Sequence, residues 1–160
     1  MSHKRKRATY LIGALGLCAL VGLTVFGLLA WRSVSVEETE PDQALGRFAR
    51  IRDTFAGTEP ILRVYADGRV VRRAAPGIDA APPNRLYVLA YRQPERRLVR
   101  ADVPFWFLRA KGPAVQYSLR GTGLDLKQLG VTPADLQRYG AALVLDETRS
   151  NGDRLLVWTE

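Results

Sequence analysis

Apolar and polar positions divide the chain into blocks of different period. From Tyr10 to Trp31 there is no charge over 22 positions, which at about 1.5 Å of helical rise per residue is enough to cross a hydrocarbon layer of roughly 30 Å. The following residues are polar and acidic, with Glu37, Glu38 and Glu40. From Asp42 to Phe55, the positions Leu45, Phe48, Ile51 or Arg52, and Phe55 recur at three- and four-residue spacing ahead of Gly57, which predicts an amphipathic helix.

Beyond that helix the period falls to two. "ILRVYADGRVVRRA" sets Asp67-Gly68 between β-branched segments, the pattern of a hairpin whose two turn residues need positive φ. A two-residue turn opposes Val64 to Val71, Tyr65 to Val70 and Arg63 to Arg72, with Leu62, Val64 and Val71 facing the core. Directly opposed cations repel, so Arg63 and Arg72 are candidates for contact with an anionic partner.

After a Pro-rich break, "RLYVLAYR" and "RLVRADV" pair about Pro94-Glu95. Leu86, Val88, Ala90, Val99, Ala101 and Val103 then share one face, and Tyr87, Leu89, Tyr91, Leu98, Arg100 and Asp102 the other. The second face is too apolar for bare solvent, so a helix or a partner is expected over it, with Tyr87 and Tyr91 as candidate partner-surface residues.

"VPFWFLRAKGP" predicts a short helix from Pro104; Phe105, Trp106 and Phe107 form either an aromatic patch toward a partner or a core segment. "DLKQLG" and "TPADLQRYG" each open on a capping pair, Asp125 with Gln128 and Thr132 with Asp135, and close on Gly130 and Gly140. "ALVLDETRSNGDRLLVWTE" is a third hairpin about Asn151-Gly152, apolar enough for a central place in a sheet.

The expected fold class is α+β: a single N-terminal transmembrane helix followed by one small domain, its mainly antiparallel sheet built from three β-hairpins plus short helices. The expected boundaries are a basic tail over 1–9, a transmembrane signal anchor over 10–31, an acidic linker over 32–41 and the α+β domain over 42–160.

Charge refines the picture. The formal charge of +8 includes Lys4, Arg5, Lys6, Arg7 and Arg32, and residues 33–160 hold 19 Lys plus Arg against 16 Asp plus Glu. The excess therefore sits in the tail, and no nucleic-acid partner is expected. Bases before the apolar run and acids after it predict a cytoplasmic N-terminus. Leu17 is too large for the position before a lipidated Cys18, and the run exceeds the roughly 7–15 residues of a cleavable signal. The expected location is thus the bacterial inner membrane, with the lipid bilayer as partner of residues 10–31 and the domain periplasmic. Ala14, Cys18 and Gly22 recur every four residues, a small-residue stripe that would pair two anchors into a homodimer.

Chemistry narrows by elimination. The one histidine is His3 and the one cysteine Cys18, so His-based catalysis, Ser or Cys triads and His- or Cys-ligated metal find no residues in the domain. "RGTGLD" lacks the Lys-Ser or Lys-Thr of a phosphate loop, and Asp146, Glu147, Asn151 and Asp153 depart from the spacing of a calcium loop. No catalytic, cofactor-binding or metal residue is assigned. The expected role is a non-catalytic binding or accessory module of the cell envelope with an envelope protein as partner. The alternative is a carboxylate-dependent hydrolase of cell-wall glycan, which needs two acids about 5–9.5 Å apart and would show a cleft lined by two facing carboxylates.

Overall fold

A computed structural model describes residues 34–65, 67, 69–74, 81–109, 122–126 and 129–160. The chain divides into two units, Met1–Arg32 and Ser33–Glu160, and the described residues all lie in the second. In chain order they form β1 (Val34–Glu38), α1 (Pro41–Thr54), β2 (Leu62–Val64), β3 (Val70–Arg72), β4 (Arg85–Arg92), β5 (Arg97–Pro104), α2 (Phe105–Arg109), α3 (Pro133–Gln137), β6 (Ala142–Thr148) and β7 (Arg154–Thr159).

The strands make one mixed seven-stranded sheet in the order β1-β5-β4-β7-β6-β2-β3. The class is α+β, but the sheet is not three antiparallel hairpins. β2 joins β6 in parallel through Leu62 and Leu145, and the expected acidic linker supplies a seventh strand, β1, along the edge of β5. Val34, Ser35 and Val36 alternate as a strand should, and the acids beside them suit an edge, where charge discourages further pairing.

The second hairpin has the expected register, Leu86 opposite Val103 and Tyr91 opposite Leu98. The first does not. Leu62 faces Arg72, Arg63 faces Val71 and Val64 faces Val70, one residue out from a two-residue turn. Asp67 accepts a hydrogen bond from the Arg69 backbone N–H at 3.0 Å, and Tyr65 N–H reaches Arg69 O at 2.9 Å, which closes a three-residue loop. A one-residue slip exchanges the faces of a strand. Arg63 and Arg72 therefore point to opposite sides of the sheet, and Val71, expected in the core, is 48% exposed.

The expectation of a single-pass inner-membrane protein is also corrected. Among the described residues no helix is long and apolar enough to cross a membrane. Residues 10–31, on which that expectation rested, lie outside the described residues, as do Ala14, Cys18 and Gly22. The membrane location, the periplasmic placement and the bilayer as a partner are withdrawn with it.

α1 begins at Pro41, whose fixed φ suits a first turn, carries Asp42 near its positive end and Arg52 near its negative end, and stops ahead of Gly57 at φ 79°. Its apolar stripe lies on the face of the sheet that carries Tyr87, Leu89 and Tyr91. Ala44 and Phe48, both 0% exposed, pack with Leu89, Tyr91, Leu98, Leu143, Leu156 and Trp158, while Ile51, Phe55 and Tyr87 are partly buried at the margin. Burying a Phe side chain in this way stabilises by about 1.5–3 kcal/mol before entropy is counted.

Two polar ties fix the helix at its ends: Thr39 N–H donates to Arg96 O at 2.9 Å, and Arg52 forks onto Asp146 with Nε–Oδ2 at 2.6 Å and Nη2–Oδ1 at 2.5 Å. On the opposite face Leu86, Val88, Val103, Leu155 and Val157 are buried, α2 packs on β5 and α3, and α3 opens on the expected capping box of Thr132 with Asp135. The expected helix over "DLKQLG" falls partly outside the described residues; Leu129 N–H reaches Asp125 O at 3.2 Å in a turn there.

Candidate functional site

α1 runs over β4, β5 and β7 without covering them fully, and the remaining space is a cleft of about 540 Å³, within the roughly 300–1,000 Å³ of small-ligand sites. Its wall is one stripe of α1, with Arg47, Arg50 and Thr54 at three- and four-residue intervals and Ile51 and Phe55 beside them. Its floor is sheet: Leu89 of β4, Arg100 of β5, Trp158 of β7 and Glu160 just beyond.

One ring stacking and one hydrogen bond order the floor. The rings of Tyr87 and Trp158 lie 5.2 Å apart between centroids, 14° from parallel, and the Trp158 indole donates to Glu160 Oε1 at 2.9 Å. Trp158 is only 4% exposed, so little of its ring is open to the cleft. Burial first, and then the Asp102 and Glu160 carboxylates, hold the Tyr87 phenol above its ordinary pKa.

The arginines differ in how far they are already paired. Arg47 grips Glu37 of β1 with two hydrogen bonds of 2.8 and 2.9 Å, and that contact holds the Glu37 carboxyl below its ordinary pKa. Among the described residues neither Arg50 nor Arg100 meets a carboxylate within ion-pair distance. Two guanidiniums outside any ion pair thus border a concave, partly apolar surface, and each offers a fork of N–H donors of the kind that suits carboxylate, sulfonate or phosphate.

The residues chosen from sequence do not meet here. Arg63 is exposed on β2, next to the edge strand β3, with Glu59 at 3.4 Å. Arg72 turns to the other side, donating to Gly130 O at 2.5 Å and lying 3.6 Å from Asp135. Tyr91 is 2% exposed, and its hydroxyl contacts Thr39 O at 3.4 Å, so it is core and not partner surface. Phe105 is also buried, whereas Trp106 is 56% exposed on α2 with its ring edge-on to Phe107. Tyr87 alone of the six touches the site, as the ring stacked on Trp158.

The residues missed are Arg47, Arg50, Trp158 and Glu160. Arg100 was assigned to the correct face without a role. One signal was available: Arg47 and Arg50 border the apolar stripe of α1, and Arg100 sits among the apolar residues that the helix had to cover. Comparison with protein-family models, with curated proteins and with solved structures finds no match to this chain.

Proposed function

We propose that residues 34–160 form a non-catalytic binding module whose ligand site is the cleft between α1 and strands β4, β5 and β7, and that the ligand is anionic. The observation that carries this reading is the pairing state of the arginines. Ten of the sixteen arginines among the described residues are held in ion pairs, and of the six that are not, Arg50 and Arg100 are the two that border the cleft. Cationic groups left unpaired around a concave surface raise the local concentration of an anion and supply its hydrogen bonds.

The hydrolase alternative is less well supported. Among the described residues lining the cleft Glu160 is the one carboxylate, whereas glycoside hydrolysis needs two that flank the bond. Thermal shift against a panel of organic anions tests the proposal, run on wild type and on an Arg50→Gln, Arg100→Gln double variant. A ligand that stabilises wild type and not the variant is expected, since ligation of the native state adds to stability by mass action. No stabilisation by any anion, or stabilisation that survives both substitutions, overturns it.

A further inference from the structure

Independently of the cleft, we infer that the two open edges of the sheet bind each other between copies of this chain, β3 of one against β1 of the next, and that the assembly grows head to tail. Among the described residues nothing pairs with the outer side of β1 or of β3, the two ends of the strand order. Strand sense allows the join. Every neighbouring pair in the sheet is antiparallel except β6 with β2, so β3 runs opposite to β1, and a copy that continues the sheet with α1 on the same side meets it as an antiparallel partner. The backbone phase agrees. Thr39 N–H donates to Arg96 O at 2.9 Å, so by alternation Glu37 and Ser35 also turn toward β5, and Val34, Val36 and Glu38 direct their N–H and C=O groups outward. On β3, the bonds from Tyr65 N–H to Arg69 O at 2.9 Å and from Arg73 N–H to Ile61 O at 2.8 Å leave Val70 and Arg72 directed outward.

Charge decides which edges meet. Residues 34–40 hold Glu37, Glu38 and Glu40 and no base, whereas residues 69–74 hold Arg69, Arg72 and Arg73 and no acid. Two β1 edges repel each other, as do two β3 edges, and only the unlike join brings opposite signs together. With Val36 opposite Arg72, all five residues of β1 find partners on residues 70–74, Glu38 lies diagonal to Arg72, and Glu37 lies diagonal to Arg73. Most of these charges already have partners within the chain, so they select the join while strand hydrogen bonds hold it. Val36, 60% exposed, and Val71, 48% exposed, each gain a neighbouring strand. Five residue pairs make an interface smaller than the roughly 1,200–2,000 Å² of stable complexes, so the association is weak, with a dissociation constant of roughly 0.1 mM. Each added copy leaves one edge of each kind open, so growth does not stop at a dimer.

Sedimentation velocity on the full chain at low ionic strength, over about 5–500 μM, tests this. The weight-average sedimentation coefficient of wild type should rise with concentration and pass the dimer. Val36→Pro removes only an outward N–H and should abolish the rise. Glu38→Lys and Arg72→Glu should each weaken association roughly fivefold, and an equimolar mixture of the two should recover it, because opposite charges then face each other across every join. A wild type that stays monomeric over the range, a rise that stops at a dimer, or a rise of equal size in Val36→Pro or Glu38→Lys overturns the inference. So does a mixture of the folded charge variants that associates no better than either alone. The wild-type, Val36→Pro and Glu38→Lys arms decide the matter even if Arg72→Glu does not fold.

Discussion

Replacing Phe48 by Ala should detach α1 from the sheet in energetic terms and dissolve the cleft with it. Phe48 is 0% exposed and packs in one cluster with Leu89, Tyr91, Leu98, Leu156 and Trp158. The substitution removes a whole phenyl ring, and the β-strand floor beneath it is hydrogen-bonded on both sides and cannot collapse into the gap. The expected loss is therefore in the upper part of the usual range for Phe→Ala, about 3–5 kcal/mol. Against a typical domain stability of about 5–15 kcal/mol this lowers the urea midpoint severely without necessarily unfolding the protein. Equilibrium urea denaturation followed by far-UV circular dichroism measures it, and Trp158, buried in the same cluster, gives a second signal in fluorescence. Phe48→Leu fills most of the space and should cost about 1–1.5 kcal/mol, which keeps the test readable if the Ala variant does not fold. A loss below about 1.5 kcal/mol for Phe48→Ala with an unchanged m-value would show that α1 does not rest on this face, and the wall of the cleft would go with it.

A double-mutant cycle on Arg52→Ala and Asp146→Ala should give a coupling of about 0.5–1.5 kcal/mol, because the fork is two-bonded and half-buried; a coupling near zero refutes the tie between α1 and β6. Asp135→Ala should cost about 1 kcal/mol at pH 7 through loss of the capping box at α3. The Thr132 side chain holds the Asp135 carboxyl below its ordinary value near 3.8, so the box contributes fully above that pH and is lost as pH falls through the lower folded value. The gap between wild type and variant in a pH series of melts should accordingly close in acid; a constant gap contradicts the assignment. Arg72→Ala should cost about 1 kcal/mol, since Arg72 bridges to Gly130 O and Asp135, and Arg63→Ala should stay within about 0.5 kcal/mol. The reverse order in chemical denaturation would restore the two-residue turn and the opposed arginines.

What the sequence made legible was whatever a short window determines. The β4–β5 register follows from alternation on both sides of a four-residue turn, and α1 and the Thr132 capping box follow from spacing and end chemistry. The β2–β3 register failed by one residue because Asp67 serves as a side-chain acceptor for Arg69, lengthening the loop, where Asp-Gly alone suggested the shorter turn. β1 was hidden by its own acids, which marked it as a linker although Val34 and Val36 alternate. The parallel contact of β2 with β6 has no local signature at all. The cleft was illegible for a further reason. Its character depends on which arginines are already paired, and Arg47 differs from Arg50 only in that Glu37 happens to be brought opposite it by the β1–β5 pairing.

The order β1-β5-β4-β7-β6-β2-β3 also bears on how the domain comes together in time. β7 is the latest of these strands in the chain and the one between β4 and β6, so until it inserts, the sheet exists as two disconnected ribbons, β1-β5-β4 and β6-β2-β3. During synthesis β1 emerges long before Ala101, with which Val34 pairs, and β2 long before Leu145, so α1 leaves the ribosome with its apolar stripe unmatched. Closure of such distant pairs makes for slow folding and a window in which that stripe is open to aggregation or to a chaperone. Because Trp158 belongs to that last-inserted strand and Glu160 directly follows it, ligand binding reports completion of the whole domain, and a nascent chain stalled before β7 should have no affinity for the anion at all.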